Sequence, residues 1–157
     1  MTSRLVLDAS AAIGAVRLTP TAGEILRLCR EATLVTAPGL FAAEVANGMW
    51  KYVTSDSLSR EAAVERLGEA LSLVDVFVPD RELAEEALVA AAAYRHPVYD
   101  LLYAVLARRH GAAVVTLDGR FRTLLARMDV EALPPGGRVG GRAGASFGPR
   151  ARTVTGR

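Results

Sequence analysis

Short aliphatic runs alternate along the chain with longer segments in which apolar residues recur every three or four positions. Aliphatic runs are typical of buried strands, and the longer segments are typical of amphipathic helices. The predicted strands are residues 4–8, 33–37, 74–78, 112–118 and 129–133. The predicted helices are a short one from Ser10, then residues 21–32, 39–53, 59–73, 81–94, 98–109 and 120–127. Aliphatic strands separated by helices predict an α/β fold, with a central parallel sheet covered by helices on both faces.

The end of the chain differs in composition from the rest. Residues 135–157 contain five arginines, no acidic residue and seven of the 14 glycines. The 157-residue chain has a net charge of +2, so without those five arginines residues 1–134 carry −3. We predict one domain over residues 1–134 and a Gly/Arg-rich tail, residues 135–157, that has too few apolar residues to fold and is disordered. Such a tail either holds nucleic acid through phosphate contacts or is an inert extension.

The chain lacks the sequence features of an exported or membrane-spanning protein. No apolar run approaches the roughly 20 residues that span a bilayer, and the first residues, MTSRLVLDAS, lack the apolar core of a signal peptide. Cys29 is the only cysteine, which excludes an internal disulfide, and its place on the apolar stripe of helix 21–32 predicts a core residue. A cytoplasmic protein without a membrane partner is therefore expected.

Three acidic residues are predicted to meet at one edge of the sheet. Asp8 and Asp118 each end a predicted strand, and Asp100 begins the helix of residues 98–109. Ligand sites of open α/β sheets form outside the carboxyl ends of the strands, so these positions favour a common site. Taken alone, Asp100 has a simpler interpretation as a helix N-cap, since its carboxylate would accept hydrogen bonds from free backbone N–H groups. If the acids do share a site, Asp100 both caps its helix and supplies a ligand there.

A fourth acid lies within or beside the apolar face of a predicted helix. In residues 39–53 the spacing of the apolar residues predicts a buried face, and Glu44 falls within it or at its border. A carboxylate there needs a partner, because its desolvation costs several kcal/mol. Four converging carboxylates would repel one another and would either take up protons or bind a divalent cation. Oxygen ligands without nearby histidine or cysteine favour Mg²⁺ or Mn²⁺, which in turn indicates phosphate chemistry.

Three segments, in this order and at these spacings, resemble PIN-domain proteins: LVLDAS near the start, FAAEVAN in the middle and VYDLLYAVLARRHGAAVVTLDGRF toward the end. The similarity extends over residues 3–133 and is greatest to the toxin ribonucleases of VapBC-type toxin–antitoxin pairs. It implies a PIN-like three-layer fold and an endoribonuclease that depends on Mg²⁺ or Mn²⁺. It also implies an RNA substrate, a cognate antitoxin, and a homodimer or toxin–antitoxin hetero-oligomer. Helices 39–54 and 81–94 would provide either the surface that binds the antitoxin or the surface of the homodimer.

The resemblance also assigns roles to individual residues. The family's acidic quartet, which binds metal and carries out catalysis, is matched by Asp8, Glu44, Asp100 and Asp118. The small polar positions that support such sites are matched by Ser10, Thr116 and Asn47. Thr116 has the alternative role of filling a buried strand. Arg120 and Arg122 are candidates for contacts with RNA phosphates, although arginines at a helix start are more often simply solvated.

Two other functional classes are alternatives to the ribonuclease. A PIN scaffold without catalysis would bind RNA or protein only, but the presence of all four acids argues against it. A phospho-receiver domain or an aspartate-nucleophile phosphatase also uses Mg²⁺. Such a phosphatase requires an aspartate where this chain has Ser10, and a receiver requires a lysine at a late strand end, whereas the only lysine, Lys51, lies within a helix.

Overall fold

A computed structural model describes residues 3–134, and within them all five predicted strands and all seven predicted helices are present. The strands are β1 (Arg4–Leu7), β2 (Leu34–Pro38), β3 (Val76–Val78), β4 (Ala113–Val115) and β5 (Ala132–Leu133). The helices are α1 (Ala9–Val16), α2 (Ala22–Glu31), α3 (Leu40–Thr54), α4 (Arg60–Leu71), α5 (Asp80–Tyr94), α6 (Val98–His110) and α7 (Gly119–Arg127). The tail predicted for residues 135–157 lies outside the described residues.

The five strands form one parallel sheet in the order β3-β2-β1-β4-β5, which confirms the predicted α/β fold. Leu5, Val6 and Leu7 of the central strand β1 are all buried, as strands covered on both faces must be. From β1 the chain adds β2 and β3 on one side, then β4 and β5 on the other. This reversal between β1 and β4 leaves a crevice outside their carboxyl ends, where ligands of open α/β sheets bind.

Strands β3, β4 and β5 are shorter than predicted because side chains and turns replace ladder hydrogen bonds at their ends. Before β3, the Asp75 carboxylate accepts a hydrogen bond from the backbone N–H of Val35, at 2.8 Å. Before β5, Asp129 adopts a left-handed conformation with φ of 54°, which turns the chain out of α7. Val74 and Val130 are buried outside the paired residues, whereas Val76 and Phe77 of the edge strand β3 are exposed, contrary to the prediction of a buried strand.

Helix α6 explains the long apolar run that surrounds Asp100. All seven residues from Leu101 to Ala107 are buried, because α6 packs against α5 on one side and against β1, β2 and β4 on the other. Cys29 is half-buried and packs against the edge of the same core. Within residues 3–134, no helix combines the length and the apolar character needed to cross a membrane.

Helices α1 and α3 approach each other closely at Gly48. A Cβ atom added there would lie 2.4 Å from Cδ1 of Ile13 on α1. We expect Gly48→Ala to lower the free energy of unfolding by about 1 kcal/mol, because Ile13 must leave its packed position. The control is Gly68→Ala on α4, where the new Cβ meets nothing within 4 Å. Helix propensity should make that variant about 1 kcal/mol more stable. Urea unfolding measures both, and equal stabilisation would contradict the close contact.

Candidate functional site

Asp8 lies directly after β1, at the crevice, and is only 7% exposed. Its Oδ2 accepts hydrogen bonds from the hydroxyls of Ser10, at 2.5 Å, and Thr116, at 2.7 Å. Leu7 pairs with Val115 in the sheet, and this register brings Thr116 beside Asp8. Burial raises the pKa of Asp8 to about 6, although both hydroxyls oppose the rise; Asp100 and Asp118 add to it. The carboxyl group is therefore held in place but is poorly solvated.

The two hydroxyls also connect Asp8 to the turn that carries Asp118. Ser10 Oγ accepts a hydrogen bond from the backbone N–H of Leu117 at 3.0 Å, and Thr116 Oγ1 accepts one from that of Asp118 at 3.1 Å. The two hydroxyl oxygens lie 3.2 Å apart. Thr116 is thus more than a filler of a buried strand, because it contributes a hydroxyl to this network.

Replacing Thr116 with valine keeps its shape but removes one donor to Asp8. We expect Thr116→Val to lower the free energy of unfolding by about 1–3 kcal/mol at pH 8, since a buried carboxylate loses a hydrogen bond. The loss should be smaller at pH 5, below the pKa of about 6, because the hydroxyl favours the ionised form of Asp8. Thr123→Val is the control, since the exposed Thr123 hydroxyl donates only to the Gly119 carbonyl. Equal losses of Thr116→Val at both pH values in denaturant titrations would contradict this role.

Glu44 extends from α3 toward Tyr103, a fully buried residue of α6. The Tyr103 hydroxyl donates to Glu44 Oε2 at 2.5 Å. Burial raises the pKa of Glu44 to about 7, against the effect of this hydrogen bond, and Asp8 and Asp100 raise it further. Burial, and after it the carboxylates of Asp8, Glu44 and Asp100, raise the pKa of Tyr103 well above its ordinary value. Tyr103 was not identified from the sequence, although it follows Asp100 by three positions and so shares a helix face with it.

Asp100 does not cap α6, so that prediction is wrong. The N-cap position is occupied by Pro97, and Asp100 is the third residue of the helix, where it makes no capping hydrogen bond. Instead, Asp100 Oδ2 lies 2.6 Å from Nε2 of His96, a residue for which the sequence predicted no role in the site. Burial raises the pKa of Asp100, His96 opposes that rise, and Asp118 adds to it.

Asp118 is the carboxylate that does cap a helix. Its Oδ1 accepts hydrogen bonds from the backbone N–H groups of Arg120, at 2.8 Å, and Phe121, at 3.1 Å, at the start of α7.

Asn47 is exposed on α3, one turn after Glu44, and no hydrogen bond among residues 3–134 joins it to the acids. Its supporting role stays a prediction.

Arg122, a candidate for contacts with RNA phosphates, is engaged by backbone groups of the protein itself. Its Nη2 donates to the backbone carbonyls of Thr116, at 2.9 Å, and Pro134, at 2.7 Å. Desolvation lowers the pKa of this partly buried guanidinium group. Arg122 therefore fastens the chain after β5 to the turn after β4.

The acids affect one another electrostatically, and a fifth joins them. Asp8 interacts with Asp100 and Asp118, and Glu44 interacts with Asp8 and Asp100. Asp80, which follows β3 and accepts a hydrogen bond from the backbone N–H of Leu40 at 3.0 Å, also raises the pKa of Glu44. The structure thus brings the predicted acids to the carboxyl edge of the sheet.

The donor set fits a hard divalent cation in its chemistry. In the described part of the chain, no three histidine, cysteine, aspartate or glutamate side chains stand close enough together to hold an ion as they are placed. Each of the four predicted acids has one carboxylate oxygen in hydrogen bonds with protein groups. The second oxygen of each accepts none from residues 3–134. Carboxylates that repel one another and keep a free oxygen are suitable ligands for Mg²⁺ or Mn²⁺.

Comparisons with known proteins agree with this fold. The family model of the PIN domain matches residues 5–124. PAE2754 from Pyrobaculum aerophilum is 26% identical, with a TM-score of 0.65 over 83% of each chain. VapBC2 from Rickettsia felis, solved bound to a DNA fragment from their promoter, is 17% identical and therefore supports the fold alone. Its TM-score is 0.59, over 82% of this chain and 96% of that chain. A search of curated proteins finds no match.

Proposed function

Because the chain belongs to the PIN-domain family, we propose that it is an endoribonuclease that requires Mg²⁺ or Mn²⁺ and acts as the toxin of a toxin–antitoxin pair. PIN domains are in general nucleases that use divalent metal ions. The observation that carries the proposal is the mutual electrostatic effect of Asp8, Glu44, Asp100 and Asp118 at the carboxyl edge of the sheet. Burial raises the pKa of three of them, Asp8, Glu44 and Asp100.

The four acids would hold the metal, and neighbouring groups would hold the acids. When bound, a divalent cation stabilises charge on the phosphodiester and increases the acidity of water. Ser10 and Thr116 fix the Asp8 carboxylate through two hydrogen bonds. Tyr103 fixes Glu44, and His96 fixes Asp100. Such outer partners orient ligands, and losing one commonly costs 10–100-fold in metal affinity or activity.

The proposal includes a protein partner, an antitoxin, within a homodimer or toxin–antitoxin hetero-oligomer. Leu88 and Val89 on α5 are 65% and 66% exposed, and Trp50 on α3 is 58% exposed. Exposed apolar side chains of this kind support a protein-binding surface on these helices. We infer the antitoxin partner by analogy with VapBC2, to which the chain is similar in fold. Inhibition of cleavage by the product of a short reading frame upstream of the gene would support it.

The test is cleavage of total RNA by the purified chain in Mg²⁺, Mn²⁺ or EDTA, beside Asp8→Asn purified in the same way. We expect cleavage with metal, none in EDTA, recovery when metal is restored, and none by the variant. Cleavage that survives EDTA would reject the proposal. A folded chain that binds RNA but never cleaves it would instead favour the alternative, a catalytically inactive PIN scaffold that binds RNA or protein.

A further inference from the structure

A groove of about 230 Å³ lies near Asp100 and Asp118, between α7 and the residues that precede α6. The residues that line it are His96, Arg120, Thr123, Leu124 and Arg127. The four from α7 fall at the spacing of one helix face. Leu124 is buried, while Arg120, Thr123 and Arg127 are exposed. The groove adjoins the acids because His96, in its wall, contacts Asp100.

The groove is basic where the neighbouring site is acidic. Residues 119–128 contain three arginines and no acidic residue. Arg122 is engaged by backbone carbonyls, which leaves Arg120 and Arg127 on the groove. The backbone N–H of Arg120 donates to Asp118, and the Arg120 side chain opposes the rise of the pKa of Asp100, so the groove adjoins two of the acids.

Both groove arginines have donors to spare. Among residues 3–134 the exposed Arg120 side chain has no hydrogen-bond or ion-pair partner. Arg127 uses only Nη1, which donates to the Tyr94 carbonyl at 3.3 Å, and its guanidinium group lies 5.4 Å from the centre of the Tyr94 ring. A guanidinium group carries five N–H donors. Tyr94 thus holds Arg127 in position and leaves its other N–H donors available.

We propose that Arg120 and Arg127 bind phosphates of the RNA strand next to the phosphodiester that is cleaved. This inference rests on the proposed action on RNA. Four carboxylates repel a polyanion, so a substrate strand needs compensating cations close by. Planar guanidinium groups match phosphate oxygens in pairs. Seven helical residues separate the two arginines by about 10 Å along the axis, which suits different phosphates of one strand.

The salt dependence of RNA binding tests the proposal directly. The probe is a fluorescent single-stranded RNA oligonucleotide, titrated with the full chain in EDTA so that neither metal nor cleavage intervenes. Each phosphate contact contributes about 0.7 to the slope of log Kd against log salt, which corresponds to about fivefold in affinity at 0.1 M salt. We therefore expect Arg120→Gln and Arg127→Gln each to weaken binding about fivefold and to reduce the slope by about 0.7.

Two control variants separate this role from general charge and from structure. Arg30→Gln removes an exposed arginine at the end of α2, toward the amino edge of the sheet, and should leave affinity and slope unchanged. Arg127→Lys keeps the charge and should restore most of the slope that Arg127→Gln loses. In cleavage assays the glutamine variants should raise KM with kcat little changed. Unfolding temperatures near that of the wild type verify that the variants fold.

The outcomes distinguish this inference from the proposed function. If the wild type cleaves RNA with metal but both glutamine variants keep its RNA affinity and slope, the RNA-binding role of Arg120 and Arg127 is rejected and the proposed nuclease activity is retained. If RNA binding depends on Arg120 and Arg127 but no metal supports cleavage, the RNA-binding role is retained and the proposed nuclease activity is rejected. A wild type that neither binds nor cleaves RNA overturns both. If Arg30→Gln weakened RNA binding equally, only net charge would matter, and the specific role of Arg120 and Arg127 would be rejected.

Discussion

Asp100→Asn is expected to reduce metal-dependent RNA cleavage by about 100-fold or more, while the protein stays folded. The change removes one of the charges that would hold the metal, and such a ligand should matter at least as much as the outer partners whose loss costs 10–100-fold. Asparagine has nearly the same size and can still accept a hydrogen bond from His96. The helix start should not suffer, because Asp100 makes no capping hydrogen bond.

The same variant should be at least as stable as the wild type when metal is absent. Burial and Asp118 raise the pKa of Asp100, which means that its surroundings disfavour the charged form at neutral pH. A neutral side chain of the same shape removes that penalty, a common exchange of stability against activity at functional sites. Thermal unfolding in EDTA measures this effect.

Asp129→Asn provides the matched control for Asp100→Asn. Asp129 is exposed before β5, at the opposite edge of the sheet, and its left-handed conformation suits asparagine equally well. It should keep full activity. If Asp100→Asn cleaved RNA as fast as this control, Asp100 could not be a metal ligand.

In the absence of divalent metal, the protein should become less stable as the pH rises from 5 to 8. Asp8 and Glu44 have pKa values of about 6 and about 7 in the folded protein, against ordinary values of 3.8 and 4.5, chiefly because both are buried. A raised pKa means that folding favours the protonated form. The stabilisation is complete below the ordinary pKa and is lost as the pH rises through the folded value. At about 1.4 kcal/mol per pKa unit, each carboxyl accounts for roughly 3 kcal/mol over its whole titration, of which the part above pH 5 is lost in this interval.

Metal and one substitution should reverse that loss. Mg²⁺ or Mn²⁺ should raise the unfolding temperature at pH 8 far more than at pH 5, because a cation binds the ionised carboxylates and stabilises the folded state by mass action. Glu44→Gln should flatten the pH dependence, since glutamine can still accept the hydrogen bond from Tyr103 but does not titrate. Denaturant titrations across this pH range measure both effects. A metal-free protein that is more stable at pH 8 than at pH 5 would contradict the raised pKa values.

The periodicity of the sequence by itself determined the elements and much of their arrangement. Which residues of a strand or helix face the core is a local property, because it depends only on the repeat of the backbone. The aliphatic runs therefore predicted five parallel strands, and Asp8 and Asp118 could be assigned to strand ends. Glu44 was found in the same way, as a charge within or beside a face predicted to be apolar.

Only the tertiary structure decided what surrounds each charge. The register of β1 against β4 brought Thr116 to Asp8, and the positions of α3 and α6, which both contact β2, brought Tyr103 to Glu44. Arg120 and Arg122 look alike in the sequence, yet two carbonyls hold Arg122 while Arg120 stays free on the groove. The physical reason is that solvation and electrostatic energy depend on distances through space. Those distances are fixed when distant segments pack, and no local repeat encodes them.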